Sequence, residues 1–297
     1  MCANKIDAWI EARKQEDDPL RLTNTEAEAW RQFLNAPASE VAHHAKQIAL
    51  PNIRPIQDDD CRLHELWNAL AEAVNDFTDQ NDKLAQFVVE LHRLPDGKGI
   101  AGAWPFFEPL PEFDIFWTEW IQFQFDHSQL DESDPEHQKN RQAHINQHTF
   151  LAKITAQGAP DKATGGNWNP VLDQRERGGL AFTWALERTP WDEESPSYDP
   201  NGFRINALDV HVLAAAPWLA YCAEGMYEKA LAGGRKSWEY PGTLSNWGVM
   251  GGWSKERWDF WRKRFPELSN MSELKEETRT VAKECAERMA EAEKSRS

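Results

Sequence analysis

The chain has 297 residues, in which 49 Asp and Glu outnumber 33 Lys and Arg, so its formal net charge at pH 7 is −16. Because the sequence has no extended basic stripe, it lacks the counterion release that drives nucleic-acid binding. We therefore expect neither nucleic acid nor an anionic membrane as a partner.

The four Cys are far apart and form no Cys-x-x-Cys pair, which favours a reducing compartment. Residues 1–9 contain no apolar signal-peptide core, and no uninterrupted apolar run approaches the roughly 18 residues of a membrane span. We expect a cytoplasmic protein. The length is compatible with a single helical domain over residues 1–297, built as one lobe or as two.

The N-terminal half has the period of amphipathic helices. Thr25 and Glu28 fit a capping box that would start a helix through Trp30 and Phe33. The clearest stripe has helical spacing and predicts one continuous buried face, formed by Leu63, Leu66, Trp67, Leu70, Val74 and Phe77. No segment of residues 1–95 has the alternating pattern of a strand.

The middle of the chain continues the helical pattern around an aromatic connection. Residues 113–125 have helical spacing and predict a buried helix that starts near residues 111–112. A further helix is predicted over residues 135–155. The Gly, Pro, Asn and Asp content of residues 157–204 predicts a loop-rich insertion that holds one short helix.

The C-terminal part is predicted to contain three helices. An Ala-rich helix spans residues 206–231, with a kink or a boundary at Pro217 and an end at Gly233-Gly234. Ser254 caps the next helix, and the last helix frays over residues 290–297. The pattern as a whole predicts an all-α fold, a multi-helix bundle of about ten helices.

Several motifs resemble those of a known family in their order and spacing. They are Leu66-Trp67 followed by Leu91-His92-Arg93-Leu94-Pro95, Asn146-x-x-Thr149-Phe150-Leu151-Ala152, Leu213 to Trp218, and Gly251-Gly252-Trp253-Ser254-x-Glu256-Arg257-Trp258-x-Phe260-Trp261. The chain resembles a filamentous-fungal family catalogued only as a domain of unknown function. The resemblance implies a fungal origin and an all-helical fold, and some similar proteins are encoded beside secondary-metabolite enzymes. It carries over no catalytic residue.

Tryptophan is unusually frequent, with 15 in the chain, and it is concentrated in residues 104–120 and 238–261. Because an indole has a large apolar face, two such stretches would either wall an apolar cavity or fill a core. We interpret them as a pocket for an apolar small molecule. The predicted binding residues are Trp104, Phe107, Phe113, Trp117, Trp120, Tyr221, Trp247 and Trp253.

The candidate acid–base residues lie within or near these aromatic stretches. His144 and His148 share one helix face, which borders an apolar face and would bring both imidazoles to a pocket. Desolvation among indole rings would raise the pKa of a carboxyl group and make it a proton donor. The predicted catalytic residues are His127, His144, His148, Asp114 and Glu119. The alternative for the histidines is a polar helix edge, and no metal site is predicted.

Nucleotide and metal motifs are weak in this sequence. Gly97–Gly102 fits Gly-x-Gly-x-x-Gly, but a predicted helix precedes it and Trp104-Pro105 follows, so we interpret it as a turn and expect no cofactor. Asp79 and Asp82 have a spacing similar to the Mg-diphosphate motifs of terpene cyclases, and they fit helix caps equally well.

We therefore expect a cofactor-independent cyclase or isomerase of fungal secondary metabolism that acts on an apolar metabolite in a pocket of Trp and Phe. A non-catalytic helical binding or scaffold protein is the first alternative. A Mg-dependent enzyme similar to terpene cyclases is the second. A homodimer is compatible with the sequence, which has no feature that determines the oligomeric state.

Overall fold

The structure is a computed structural model that describes residues 2–14, 21–49, 63–94, 107, 109–123, 133–160, 166–202, 204–234 and 252–296. Eleven α-helices lie within these ranges. The described ranges contain no named strand, and their extended pairing is an isolated antiparallel bridge between Gly234 and Trp253. The all-α prediction is confirmed.

The chain divides into two compact units, Met1–Phe123 and Gln124–Ser297. The first unit contains α1 (Cys2–Ala12), α2 (Asn24–Asn35), α3 (Val41–Ala49), α4 (Leu63–Asp76), α5 (Asn81–Arg93) and α6 (Phe113–Phe123). The second contains α7 (Pro135–Gln157), α8 (Arg175–Phe182), α9 (Leu208–Ala232), α10 (Lys255–Ser269) and α11 (Glu276–Lys294). Short 3₁₀ turns lie at Ala38–Glu40, Thr78–Gln80 and Ile205–Ala207, and a π turn lies at Thr183–Glu187.

The predicted stripe of α4 forms part of the core of the first unit. Leu66, Trp67, Leu70, Val74 and Phe77 are all buried, as the helical spacing predicts. Helix α4 packs against α5 and α6, and α3 packs against α2 and α5. Burial of this stripe, rather than helix propensity alone, is what stabilises a helix of this length.

The cap of α2 differs from the predicted one. Thr23 is the N-cap: its hydroxyl accepts the backbone N–H of Glu26 at 3.3 Å, and Glu26 Oε2 accepts the Thr23 N–H at 2.7 Å. The prediction of a Thr25–Glu28 box is wrong because the same four-residue pattern also starts at Thr23, and the sequence alone does not choose between the two. Glu28 instead accepts a hydrogen bond from Arg31 on the exposed surface.

A strained turn sets the start of α6. Leu110 and Glu112 have φ of 43° and 65°, in the left-handed region that non-Gly residues seldom adopt. The indole N–H of Trp67 donates to the carbonyl of Pro111 over 3.0 Å and so fixes this turn from α4. Helix α6 therefore begins at Phe113, directly after the turn.

Helix α9 is the central helix of the second unit, where it packs against α7, α8 and α11. It continues through Pro217 without ending there. The buried Trp218 and Leu219 anchor the helix next to the proline, whose main cost is one missing backbone N–H. Gly233, with φ of 66°, caps the helix end as predicted.

The rest of the second unit is arranged around α9. The loop-rich insertion over residues 157–204 holds α8 and the π turn, and the remainder of its described residues form turns and extended backbone. The Ser254 side chain accepts the Arg257 N–H at 3.1 Å, so the predicted cap of α10 is confirmed. Helix α11 continues through residues 290–294, where the sequence predicts fraying.

One described segment, Ile205–Ala232, is long and apolar enough to cross a membrane, with a mean hydropathy of 1.2 in its most apolar window. However, 61% of that window is buried inside the protein, and the core helix of a soluble protein passes the same test. The hydropathy of this segment is therefore weak evidence for a span.

Candidate functional site

A groove of about 720 Å³ lies on the second unit. One wall is the α9 segment from Leu219 to Glu228. The other described walls are the segment after α7, with Pro160 and Trp168, and the turn after α11, with Ser295 and Arg296. The volume lies within the range of roughly 300–1,000 Å³ that small-molecule sites occupy. This groove is therefore the candidate functional site.

The α9 wall presents an aromatic ring beside carboxylates. Tyr221, Glu224 and Glu228 are three and four residues apart, a spacing that places them on one face of a helix. Tyr221 is 47% exposed, which is unusual for so large a ring next to a buried core. The Lys153 ammonium lies 5.4 Å from the centre of the Tyr221 ring, a cation–π distance that holds the ring in place.

Trp168 forms the opposite aromatic element of the groove. Its indole lies directly on Gly225 of α9, and a Cβ built at Gly225 would come within 2.2 Å of Trp168 Cζ2. The Arg175 guanidinium lies 3.9 Å from the centre of the same ring. The glycine therefore makes room for the indole, and the arginine holds it there.

Arg175 is itself fixed from three directions. Its Nη1 donates to the Gly225 carbonyl at 2.8 Å, and its Nε and Nη2 each donate to a different Asp173 oxygen at 2.7 Å. Burial acts to raise the pKa of Asp173, but the hydrogen bonds and charge of Arg175 outweigh it and lower that pKa. The Trp168 wall is thus supported by an ion pair whose side chains are only 9% and 17% exposed.

The remaining lining groups set the charge of the groove. Glu224 and Glu228 add two carboxylates, and Arg296 adds a guanidinium that pairs with Glu228. Cys222 also lines the groove, but its thiol donates to the Ala152 carbonyl at 3.2 Å, and burial raises its pKa to about 12. Cys222 therefore stays a protonated thiol near neutral pH and is a poor nucleophile.

Two of the predicted catalytic histidines lie together in the interior of the second unit. The His144 and His148 rings on α7 are 4.7 Å apart between centroids, and His211 of α9 lies 6.0 Å from His144. Trp184 stacks on His211 at 5.7 Å, and the Arg188 guanidinium lies 4.1 Å from the centre of that indole. The three imidazoles thus belong to a layered interior cluster.

The environment of His148 defines its protonation state. Trp218 Nε1 donates to His148 Nδ1 at 3.1 Å, so Nδ1 carries no proton. Burial lowers the pKa of His148 to about 3, and the charge of Arg177 adds to the effect. His148 is a neutral hydrogen-bond acceptor at physiological pH. It is not among the residues that line the groove.

The predicted aromatic binding residues of the first unit are core residues. Phe107, Phe113 and Trp117 are fully buried, and Phe113 makes an edge contact with Trp67 at 5.1 Å between ring centroids. Asp114 and Glu119, the two predicted catalytic carboxylates, are exposed on α6. In the first unit the aromatic stripe fills a core, and these carboxylates face solvent.

Four predicted residues lie outside the described side chains. Trp104, His127 and Trp247 are outside the described residues, as is the Gly97–Gly102 motif. Trp120 belongs to α6, and the structure describes only its backbone.

Glu187, Arg257 and Trp261 form a second polar centre in the interior of this unit. Glu187, on the π turn, accepts from Arg257 Nε at 2.6 Å, from Arg257 Nη2 at 2.8 Å and from Trp261 Nε1 at 2.6 Å. The Arg257 and Glu187 side chains are only 1% and 0% exposed. The Arg257 Nη1 donates to the Gly252 carbonyl at 2.8 Å, so the arginine also ties down the backbone ahead of α10.

Indole–glutamate hydrogen bonds recur in this unit. Trp253 Nε1 donates to Glu176 at 3.1 Å, and Trp258 Nε1 donates to Glu293 at 2.9 Å. The Gly-Gly-Trp-Ser-x-Glu-Arg-Trp motif therefore has a structural explanation, because its Trp and Arg side chains cross-link α8, the π turn, α10 and α11. Trp253 is a buried cross-link and does not line the groove.

The described residues contain no cluster of side chains that could bind a metal ion. No group of three or more His, Cys, Asp or Glu in the described residues is arranged to hold a metal ion. Asp79 and Asp82 are exposed at the 3₁₀ turn and at the first turn of α5. There, carboxylates interact favourably with the free N–H groups of the helix start.

Of the predicted binding and catalytic residues whose side chains the structure describes, Tyr221 lines the groove. Trp168 lies in a run of Gly, Asn and Pro. An isolated Trp in such a polar loop could have been proposed from the sequence as a binding residue. Glu224 and Glu228 follow Tyr221 at helical spacing, which indicates one shared face. No sequence signal brings Arg296 to this face, because that contact depends on how α11 packs against α9.

The described part of the chain is thus all-α, and its second unit has a groove of small-molecule size. The chain belongs to the family described as "Protein of unknown function (DUF3632)", whose match spans residues 67–265. This match confirms the resemblance to a family of unknown function. No curated protein and no solved structure matches the chain.

Proposed function

We propose that this protein binds an organic small molecule with an aromatic ring, and that the groove of the second unit is the binding site. The observation that carries the proposal is Tyr221, whose ring is 47% exposed inside a groove of about 720 Å³. Trp168, half-buried in the same groove, supplies a second ring. Aromatic walls with a few convergent polar groups are typical of small-molecule sites.

The fixed positions of the wall residues support a binding function for the groove. A side chain at residue 225 would collide with the Trp168 indole, and the Arg175 guanidinium lies 3.9 Å from the centre of that ring. A ring that is fixed before binding loses little conformational entropy when a ligand stacks on it. We place the ligand among the aromatic metabolites of fungal secondary metabolism, on the strength of the motif resemblance.

Catalysis is the second candidate and would use the same groove. A cyclase or isomerase needs a proton donor or acceptor at its substrate. Glu224 is the lining carboxylate that fits this role, whereas His144 and His148 lie in the interior cluster. We rank binding first because the residues that build the groove are mainly small, aromatic and structural.

The test is ligand-observed NMR with a panel of aromatic fragments that includes tryptophol. Tyr221→Ala is expected to weaken binding about two- to twelvefold, since one aromatic pair contributes roughly 0.5–1.5 kcal/mol. Tyr198→Ala is the matched control, because Tyr198 is 41% exposed in the same unit and does not line the groove. If no fragment binds in a Tyr221-dependent manner, the proposal is wrong.

A further inference from the structure

The groove contains one ion pair that spans two of its walls. Arg296 Nη2, on the turn after α11, pairs with Glu228 Oε1 on α9. The two side chains are 45% and 31% exposed, so the pair lies where solvent reaches it. Exposed ion pairs of this kind stabilise proteins by only about 0–1 kcal/mol. A ligand can therefore replace Arg296 at a small energetic cost.

The charges of the groove favour a cation at this place. Among the lining residues that the structure describes, Glu224 and Glu228 are one helical turn apart on α9, and Arg296 is the one Lys or Arg. The charge of Arg175, behind Trp168, is matched by Asp173. Lys153 lies beside the Tyr221 ring. With a formal charge of −16 on the chain, the surrounding field adds to the attraction of a cation.

The position of Arg296 allows its side chain to move away from Glu228. Helix α11 ends at Lys294, where the Ser295 N–H donates to the Glu291 carbonyl over 3.1 Å. Arg296 follows on a turn, outside the helix. Rotation of its side chain would open Glu228 without disturbing the packing of α11.

We infer that the groove accepts an aromatic ligand bearing a basic group, and that Arg296 holds the place of that group in the empty protein. This inference rests on the proposed function. The ligand's ring stacks on Tyr221 and Trp168, and its ammonium or guanidinium replaces the Arg296 guanidinium on Glu228. Arg296 is thus an internal competitor that lowers the affinity for a cationic ligand.

The experiment uses three indoles with nearly the same shape. Tryptamine carries an ammonium, tryptophol a hydroxyl and indole-3-propionate a carboxylate, and affinities are measured by ligand-observed NMR with the full chain. Tryptamine is expected to bind at least about fivefold tighter than indole-3-propionate, as befits one favourable ion pair. Arg296→Gln is expected to strengthen tryptamine binding about two- to fivefold and to leave tryptophol unchanged.

Arg262→Gln is the matched control. Arg262 pairs with Glu293 at 3.1 Å, its side chain is 42% exposed, and it does not line the groove. The Arg262→Gln variant should leave the affinities for all three indoles unchanged. Glu228→Gln should weaken tryptamine alone, which separates a specific contact from a general effect of net charge.

The outcomes distinguish the two proposals. If tryptophol binds in a Tyr221-dependent manner but tryptamine binds no tighter than indole-3-propionate, the proposed function stands and this inference is wrong. If indole-3-propionate binds tightest and Arg296→Gln abolishes that binding, Arg296 recruits an anion and the inference is reversed. If no aromatic probe binds, both proposals fail.

Discussion

The indole N–H of Trp218 donates to Nδ1 of His148 over 3.1 Å, and both side chains are buried in the second unit. This hydrogen bond exists only while Nδ1 is unprotonated. Burial lowers the pKa of His148 from 6.5 to about 3, so the folded protein keeps the imidazole neutral in mildly acidic solution.

We predict that the protein loses stability as the pH falls from 6.5 towards 3. In this window the unfolded chain binds a proton at His148 and the folded chain does not, so acid favours unfolding. The free energy of unfolding should fall by up to about 1.4 kcal/mol per pH unit for this one group. Urea unfolding at several pH values above about 4.5, where most carboxylates remain ionised, measures the slope.

His148→Gln is expected to reduce that slope, although it also changes the stability at neutral pH. Thr149→Ala, on the same helix, removes no titratable group, so it is the control and should retain the wild-type slope. An identical pH slope in His148→Gln and the wild-type protein would show that the acid sensitivity has another source.

Gly225→Ala should destabilise the second unit and disturb the groove. The new Cβ would approach Trp168 Cζ2 to 2.2 Å, so the indole must move, at a cost of about 1–3 kcal/mol. In a Trp168→Ala background the same substitution should instead stabilise by up to about 1 kcal/mol, because Ala is the better helix former. Thermal unfolding of the four proteins in this cycle measures the reversal of sign, and a cost that persists without the indole contradicts the explanation.

Arg257→Met should cost about 3–5 kcal/mol, because it leaves the Glu187 carboxylate buried without its charged partner. The double variant Glu187→Met/Arg257→Met should be less destabilised than the sum of the single variants, since it removes both charges. Lys255→Met is the control: the side chains of its ion pair with Asp259 are 39% and 35% exposed, so the pair should contribute less than about 1 kcal/mol. Urea unfolding is sufficient, and strict additivity of the two single variants would contradict coupling.

Asp209→Ala should loosen the start of α11. Asp209 Oδ1, at the start of α9, accepts the Lys275 N–H at 3.0 Å and the Thr278 hydroxyl, and so caps α11 from a different helix. The loss should be about 1–2 kcal/mol, and Asp209→Asn, which retains an acceptor oxygen, should lose less. Hydrogen exchange at the first turn of α11 reports it, whereas Asp134→Ala, at the cap of α7, should leave that turn protected.

Helical periodicity was enough to predict the class of fold. The spacing of Leu66, Trp67, Leu70 and Phe77 indicates a buried face, and Ser254 and Gly233 mark helix ends by local chemistry that works within a single turn. The cap of α2 shows the limit of such reasoning. Thr23 and Thr25 both start a valid box, and only the packing of the helix decides which is used.

The candidate site was far less predictable, because it depends on tertiary contacts. Tyr221 was predicted as a binding residue, but its exposure depends on how the neighbouring segments pack around α9. The aromatic stripes gave a misleading signal for a pocket in the first unit, since helical spacing of Phe113 and Trp117 places them in a core as readily as in a wall. The histidines share a face as predicted, and that face turns inward.

The indole–glutamate bonds have a consequence for how this family changes over evolutionary time. Replacement of Trp261 alone would leave Glu187 with one donor fewer in the interior, and replacement of Glu187 alone would leave an arginine and an indole without their acceptor. Single substitutions at Trp261 or at Glu187 should therefore be destabilising. Glu187, Arg257 and Trp261 should therefore be inherited together, or be exchanged together for apolar residues, across the members of the family.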